Sequence, residues 1–179
     1  MPMRVLVLGG QRSGKSRYAE QLVMASGLSP VYLATATAGD REMHERIDAH
    51  RSRRGGTWRT VEEPFDLAGA LARESGEGFH VLVDCLTLWL TNLIGARRPI
   101  EEETRHLIEI LARVTGPIVL VSNEVGSGIV PDNPLARRFA DALGTLNQQV
   151  AAAVDRVILV AAGLPLVLKA EQPGSEVTI

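Results

Sequence analysis

The sequence predicts an α/β fold in which a mostly parallel β-sheet is covered by helices on both faces. Short apolar runs of strand length alternate with segments of helical periodicity along the 179 residues, an alternation typical of parallel sheets. The first apolar run leads through a glycine-rich loop into a helix, which is a recurrent βα unit. Apolar residues make up 45% of the chain, so we expect one domain, residues 1–179, with a substantial core.

The strands are predicted from apolar runs bounded by turn-forming residues. These runs cover residues 5–8, 30–34, 58–61, 79–84, 118–121, 157–161 and 166–169. Gly163 and Pro165 turn the chain before the last run, which is therefore expected to return as an antiparallel edge strand. Ligands of such sheets bind at the carboxyl ends of the parallel strands, so the residues that follow each run are the candidates for function.

The helices are predicted from apolar residues that recur at spacings of three and four, over residues 15–25, 40–49, 66–75, 86–94, 101–114 and 134–154. The segment 40–49 is polar and is expected at the surface, whereas 86–94 is apolar and is expected to be buried. The longest helix opens with Asn133 as N-cap and Pro134 at its first position. The first helix has a short apolar set on its expected inner face: Tyr18, Leu22 and either Met24 or Ala25.

The loop after the first strand reads G-x-x-x-x-G-K-S, which is a P-loop in the strand-loop-helix context that this motif requires. Gly9 and Gly14 allow the backbone N–H groups to point at a phosphate, and the following helix directs its positive end at the same anion. We expect Lys15 to bridge the β- and γ-phosphates and the Ser16 hydroxyl to hold Mg²⁺. The alternative is a chance match in a glycine-rich turn. The eight predicted phosphate-binding residues are Gly9, Gly10, Gln11, Arg12, Ser13, Gly14, Lys15 and Ser16.

Charge and cysteine content restrict the function classes. The formal net charge of −2 gives no general attraction to nucleic acid or to an anionic membrane surface. Cys85 is the single cysteine, which excludes an intrachain disulfide and fits a reducing compartment. No signal peptide and no apolar run long enough to span a membrane are recognised, so a cytoplasmic protein is the expectation.

Two carboxylates follow predicted strands. Asp84 ends the apolar run 79–84 and is interpreted as a Walker B carboxylate that associates with Mg²⁺, the alternative being a cap for the next helix. Glu124 lies in a polar loop after another strand, where it either orients a hydroxyl or nucleotide sugar or caps the loop. Cys85, beside Asp84, is interpreted as a packed thiol rather than a nucleophile.

A histidine with three arginines near it is a candidate nucleophile. The guanidiniums of Arg51, Arg53 and Arg54 can neutralise a polyphosphate and keep the His50 imidazole uncharged, so that its nitrogen can attack phosphorus. Judged on the residues alone, a solvated basic turn with a passive histidine is the favoured interpretation. The remaining histidines are interpreted as structural: His44, His80 and His106.

Ordered motifs run through nearly the whole chain, from residue 5 to residue 169. They are GGQRSGKS at 9–16, ATA at 34–36, His50 with the basic residues after it, WRT at 58–60, DCLTLWLTN at 84–92, NEVGSGIVP at 123–131 and NQ at 147–148. In this set the chain resembles the bifunctional adenosylcobinamide kinase / adenosylcobinamide-phosphate guanylyltransferases of cobalamin biosynthesis. The P-loop alone is unspecific, but the ordered set is specific.

The resemblance implies two reactions. ATP or GTP phosphorylates the aminopropanol hydroxyl of adenosylcobinamide, and GTP then transfers GMP to that phosphate, releasing pyrophosphate and giving adenosylcobinamide-GDP. It also implies a RecA-like P-loop fold, a homotrimer, and a covalent GMP–histidine intermediate at His50 in place of the passive histidine. Beyond the P-loop, the nucleotide contacts that the resemblance implies fall on Ala34, Thr35, Ala36, Arg51, Ser52, Arg53, Arg54, Glu62 and Asp84.

Two other functions are compatible with the motifs. A P-loop kinase for another small alcohol would carry out no guanylyl transfer and would form no covalent GMP adduct. A RecA-like nucleotide switch would bind a partner, hydrolyse nucleotide slowly and show no dependence on a corrinoid. The chain offers no separate partner-binding segment, which argues mildly against the switch.

Overall fold

The fold is described from a computed structural model, in which residues 3–36 and 55–170 are placed well enough to describe. The predicted helix 40–49, and with it His50 and the basic turn 51–54, lies outside the described residues. The strands are β1 (Arg4–Gly9), β2 (Ser29–Ala34), β3 (Arg59–Glu62), β4 (Phe79–Asp84), β5 (Ile118–Asn123), β6 (Arg156–Ala161) and β7 (Leu164–Lys169). The helices are α1 (Lys15–Ala25), α2 (Leu67–Glu74), α3 (Leu86–Gly95), α4 (Ile100–Arg113) and α5 (Pro134–Ala153).

All seven strands form one sheet in the order β3-β2-β4-β5-β1-β6-β7. Every neighbouring pair is parallel except β6 and β7, which pair antiparallel, so the predicted parallel sheet with an antiparallel C-terminal edge is confirmed. The strands also end in register: Ala34 pairs with both Glu62 and Asp84, and Gly9 pairs with Asn123. The carboxyl ends of five strands therefore form one edge of the sheet.

Side chains of the central strands alternate between two apolar cores because successive residues of a strand point to opposite faces. On one face Leu6, Val83 and Leu120 pack against α2, α3, α4 and α5. On the other face Val7 and Val121 pack against α1. Among the described elements the helices thus lie on both faces, as predicted, but four helices cover one face and one helix covers the other.

The inner face of α1 differs from the prediction. Ala19 and Val23 are the residues of α1 that are fully buried, whereas Met24 is 48% exposed and Ala25 is also exposed. Tyr18 and Leu22 pack at the side of the core. The prediction was wrong about Met24 and Ala25, because the face of α1 that packs on the sheet is the one that carries Ala19 and Val23, four positions apart.

The longest helix is fixed at both ends. The side chain of Asn133 accepts a 2.8 Å hydrogen bond from the Leu135 N–H, which confirms the predicted N-cap. At the other end the ammonium of Lys169, in β7, donates to the carbonyls of Ala151 and Val154, at 2.9 and 2.6 Å, and to that of Ala152. A cation at this position satisfies free carbonyls and interacts favourably with the negative end of the helix. None of the helices in the described part of the chain has the length and apolarity that crossing a membrane requires.

Candidate nucleotide-binding site

The P-loop connects β1 to α1 at the carboxyl edge of the sheet. Gly14 has φ of 95° and an added Cβ would lie 3.2 Å from the Cα of Gly163, so this position requires glycine. A Cβ on Gly9 would lie 2.6 Å from the carbonyl oxygen of Val160, which is too close for a larger residue. The two glycines of the motif therefore serve the packing of the loop as well as the approach of a phosphate.

Backbone hydrogen bonds hold the P-loop from both sides. The N–H of Glu124, after β5, donates to the carbonyl of Gly9 at 3.1 Å, and the N–H of Gly163, after β6, donates to the carbonyl of Ser13 at 2.8 Å. The Ser13 hydroxyl is buried and has no hydrogen-bond partner among the described residues. A phosphate oxygen or a water would satisfy it. The loop is thus held in shape by the residues that follow β5 and β6.

The first turn of α1 is suited to an anion. No side chain caps the helix, and its first turn contains no acidic residue, so its backbone N–H groups are available to a phosphate. The ammonium of Lys15 lies 3.0 Å from the carbonyl of Gly10, at the mouth of the loop. Burial lowers the pKa of Lys15, and the negative charge of Asp84 partly offsets that effect. Lys15 and Asp84 therefore face one space.

Asp84 is held by a tyrosine that the sequence analysis did not select. The Tyr32 hydroxyl donates a 2.9 Å hydrogen bond to Oδ2 of Asp84 from the adjacent strand β2. The Tyr32 ring packs edge-on against Trp58, with ring centroids 6.1 Å apart. A tyrosine inside an otherwise apolar strand was a usable signal, because a buried phenol needs a polar partner.

Thr35 connects the ends of β2 and β4. It is fully buried, and its hydroxyl donates to the Cys85 carbonyl at 2.7 Å and accepts from the Cys85 N–H at 2.9 Å. The Asn92 side chain of α3 donates to the carbonyls of Thr35 and Pro64. The Thr35 side chain thus positions the strand end that carries Asp84, and a contact of residues 34–36 with nucleotide stays a prediction.

The described part of the predicted site lies along one edge of the sheet. The P-loop follows β1, Asp84 ends β4, residues 34–36 follow β2 and Glu62 ends β3. Four strand spacings separate β1 from β3, which is about 19 Å along this edge. Whether Arg51, Ser52, Arg53 and Arg54 join them remains a prediction, since they and His50 lie outside the described residues.

The structure also locates three residues that the sequence analysis left open or interpreted as structural: Glu124, Cys85 and His106. Glu124 accepts a 2.7 Å hydrogen bond from the Gly126 N–H, so the loop-cap alternative is realised. Cys85 is buried, and that burial raises the pKa of its thiol to about 12, which makes it a packed thiol and not a nucleophile. His106 is exposed on α4.

Comparison with known proteins identifies the family. The model of the cobinamide kinase / cobinamide phosphate guanyltransferase family matches residues 5–168. The chain is 52% identical over 171 residues to the bifunctional adenosylcobalamin biosynthesis protein CobP of Pseudomonas aeruginosa, covering 94% of this chain and 99% of that protein. It is 40% identical over 184 residues to the bifunctional adenosylcobalamin biosynthesis protein CobU of Salmonella typhimurium, covering 93% of this chain and 100% of that protein.

A solved structure agrees with the fold. The flagellar accessory protein FlaH of Methanocaldococcus jannaschii superimposes with a TM-score of 0.52 at 11% identity, covering 94% of this chain and 79% of that one. At this identity the likeness concerns the fold alone, which is a RecA-like P-loop fold. The chain has a P-loop and a carboxylate at the end of β4, and the family match covers almost its full length. The chain therefore belongs to the cobinamide kinase / cobinamide phosphate guanyltransferase family.

Proposed function

We propose that this chain is a bifunctional enzyme of cobalamin biosynthesis that phosphorylates adenosylcobinamide and then transfers GMP from GTP to the product. The observation that carries this proposal is the family match over residues 5–168, which includes the whole P-loop and all or nearly all of every described strand. Both reactions use one nucleotide-binding domain, residues 1–179. The second step gives adenosylcobinamide-GDP and pyrophosphate.

In the kinase step the oxygen of the substrate hydroxyl attacks the γ-phosphorus of ATP or GTP, and the bond from that phosphorus to the β-phosphate oxygen breaks. ADP or GDP leaves with the electron pair, and the hydroxyl proton passes to a phosphate oxygen or to water. The backbone N–H groups of the P-loop and the ammonium of Lys15 neutralise the charge that accumulates on the β- and γ-phosphates. Gly9 and Gly14 keep those N–H groups close to the phosphates because neither carries a Cβ. Positioning and charge neutralisation are the main contributions of the protein in such transfers.

A magnesium ion fits the oxygen donors of this edge. Ser16 would supply a hydroxyl and Asp84 a carboxylate, which are the hard oxygen ligands that Mg²⁺ prefers, and nucleotide and water oxygens would complete the shell. When bound, Mg²⁺ neutralises phosphate charge. The chain's own part is to hold the Asp84 carboxylate in place, and the hydrogen bonds from Tyr32 to Asp84 and from Thr35 to the next peptide do this.

In the guanylyl step a neutral nitrogen of His50 attacks the α-phosphorus of GTP. The nitrogen–phosphorus bond forms as the bond to pyrophosphate breaks, and pyrophosphate leaves with the electron pair. The phosphate oxygen of adenosylcobinamide phosphate then attacks the same phosphorus and releases the imidazole. A nitrogen nucleophile splits the transfer into two in-line steps. The guanidiniums of Arg51, Arg53 and Arg54 would stabilise the polyphosphate charge.

Intact-mass spectrometry after incubation with GTP and Mg²⁺ tests the covalent step. We expect a mass increase of one GMP that is lost in acid and retained in base, as a phosphoramidate requires. His50→Ala should abolish the increase and leave kinase activity, and His44→Ala is the matched control that should keep both. An adduct that persists in His50→Ala would contradict the assignment. Kinase activity with no adduct in the wild type would indicate a kinase alone.

We further propose that the enzyme is a cytoplasmic homotrimer, as the resemblance implies. The supporting observation is β7, an edge strand whose six residues are all exposed. It presents Leu164, Leu166 and Leu168 at 72%, 59% and 55% exposure, which is unusual for a free edge. Light scattering after size exclusion should give three times the chain mass, and Leu166→Lys should lower that mass. A monomeric wild type would contradict the trimer.

A further inference from the structure

The loop between β5 and α5 exposes an apolar surface beside the P-loop. Val125, Ile129, Val130 and Leu135 are 44%, 98%, 73% and 65% exposed, and we call these four residues the acceptor patch. Between residues 125 and 135 the only ionisable side chain is Asp132. Contiguous exposed apolar residues with so little charge mark a binding surface more often than a solvated loop.

The backbone of this loop is held by its own hydrogen bonds. At the start, Glu124 accepts from the Gly126 N–H at 2.7 Å. At the end, the Arg137 guanidinium donates to the carbonyls of Pro131 and Asp132 at 2.8 and 2.7 Å. The two ends of the loop are therefore held by hydrogen bonds, while the apolar side chains between them are exposed.

The loop is joined directly to the phosphate-binding loop. The Glu124 N–H donates to the carbonyl of Gly9 at 3.1 Å, so the chain leaves the P-loop edge one residue before the first patch residue, Val125. The Asn147 side chain of α5 donates to the Asn123 carbonyl at 3.0 Å and fixes the same point from the side of the helix. The loop that carries the acceptor patch thus begins beside the P-loop.

We propose that the acceptor patch binds the macrocycle of the corrinoid substrate and so brings its aminopropanol hydroxyl to the γ-phosphate. This inference rests on the function proposed above. That reaction needs a second site beside the P-loop, and its acceptor is a broad macrocycle with methyl-bearing faces and an amide-bearing rim. An uncharged apolar surface can pack against those faces. A nucleotide would instead be bound by the polar groups at the ends of the strands.

The test uses the double variant Ile129→Ser, Val130→Ser in the full chain, because both side chains are exposed and their loss leaves the core intact. Isothermal titration with adenosylcobinamide should show Kd raised about tenfold or more, since two apolar side chains leave the contact. The Kd for GTP and the yield of the GMP adduct with GTP alone should stay unchanged. Met24→Ser is the matched control: it removes a similarly exposed apolar side chain at the far end of α1 and should change none of these values.

Three outcomes would overturn the proposal. The first is an unchanged Kd for adenosylcobinamide in the double variant. The second is an equal loss of GTP affinity, which would mean that the loop shapes the nucleotide site instead. The third is a changed oligomer mass by light scattering, which would make the patch a contact between subunits. If the wild type neither binds nor phosphorylates adenosylcobinamide, the proposed function itself fails, and that result is separate from these three.

Discussion

The hydroxyl of Tyr32 and the carboxylate of Asp84 share a 2.9 Å hydrogen bond although they lie 52 positions apart in the chain. This contact joins two adjacent strands at their carboxyl ends and restricts the carboxylate predicted to hold Mg²⁺. An outer contact of this kind commonly controls the affinity of a site for its metal.

Tyr32→Phe should therefore weaken magnesium binding while keeping the fold. The variant retains the ring and its packing against Trp58 but removes the donor to Asp84. We expect the Mg²⁺ concentration for half-maximal kinase activity to rise roughly tenfold, and the free energy of unfolding to fall by about 1 kcal/mol. Activity titrations with Mg²⁺ and urea denaturation measure the two effects. An unchanged Mg²⁺ titration would show that the hydrogen bond has no part in metal binding.

Thr35→Val should destabilise the fold more than its small change in size suggests. Valine keeps the shape but leaves the N–H and the carbonyl of Cys85 without the hydroxyl that both now contact in a buried position. We expect a loss of about 2–4 kcal/mol in urea denaturation. Thr35→Ser retains the hydroxyl and should lose less than half as much. If Thr35→Val lost no more stability than Thr35→Ser, the two hydrogen bonds of the hydroxyl would contribute little to folding.

Lys15→Ala should impair both reactions, because both substrates present a triphosphate to the P-loop. Its ammonium donates to the Gly10 carbonyl at the mouth of the loop and belongs to neither apolar core, so the fold should persist. We expect kcat/KM for each reaction to fall roughly a hundredfold or more. Arg17→Ala removes a cation that is exposed on α1 and belongs to none of the predicted nucleotide contacts, so it is the matched control and should keep both activities. Normal GTP turnover in Lys15→Ala would contradict the role given to Lys15.

His80 should make the protein sensitive to acid. It is 7% exposed, both ring nitrogens have no hydrogen-bond partner within the described residues, and burial lowers its pKa from 6.5 to about 4. The folded state therefore binds a proton less readily than the unfolded state. The stability that comes from the neutral ring is present above pH 6.5 and is lost as the pH falls from about 6.5 to about 4, on the order of 3 kcal/mol in total.

Urea denaturation at several pH values measures this loss. His80→Leu replaces the ring with an apolar side chain and should flatten the stability profile between pH 6.5 and pH 4. His106→Leu, on the exposed side of α4, should leave the profile as it is in the wild type. If His80→Leu retains the full acid dependence, other groups are responsible for it.

Local sequence patterns predicted the strands and helices well, because a few consecutive residues determine each of them. The run 79–84 and the helix 15–25 have the predicted bounds, and the P-loop has the predicted context. The contacts that hold the site escaped prediction because they join distant positions. Tyr32 and Asp84 are 52 positions apart, and Thr35 and Cys85 are 50 apart, so no periodicity reveals them. The buried face of α1 that contains Ala19 was missed because the sequence pattern gives the spacing of apolar residues along a helix. It does not give the distance between that helix and the sheet.

The contacts of Lys169 set a practical limit for shortening the protein. A chain that stops after Ala170 keeps the ammonium that closes the end of the longest helix, along with every strand of the sheet. A chain that stops two residues earlier gives up that cation and leaves three helix carbonyls in need of water. Any shortened form of the protein should therefore retain Lys169.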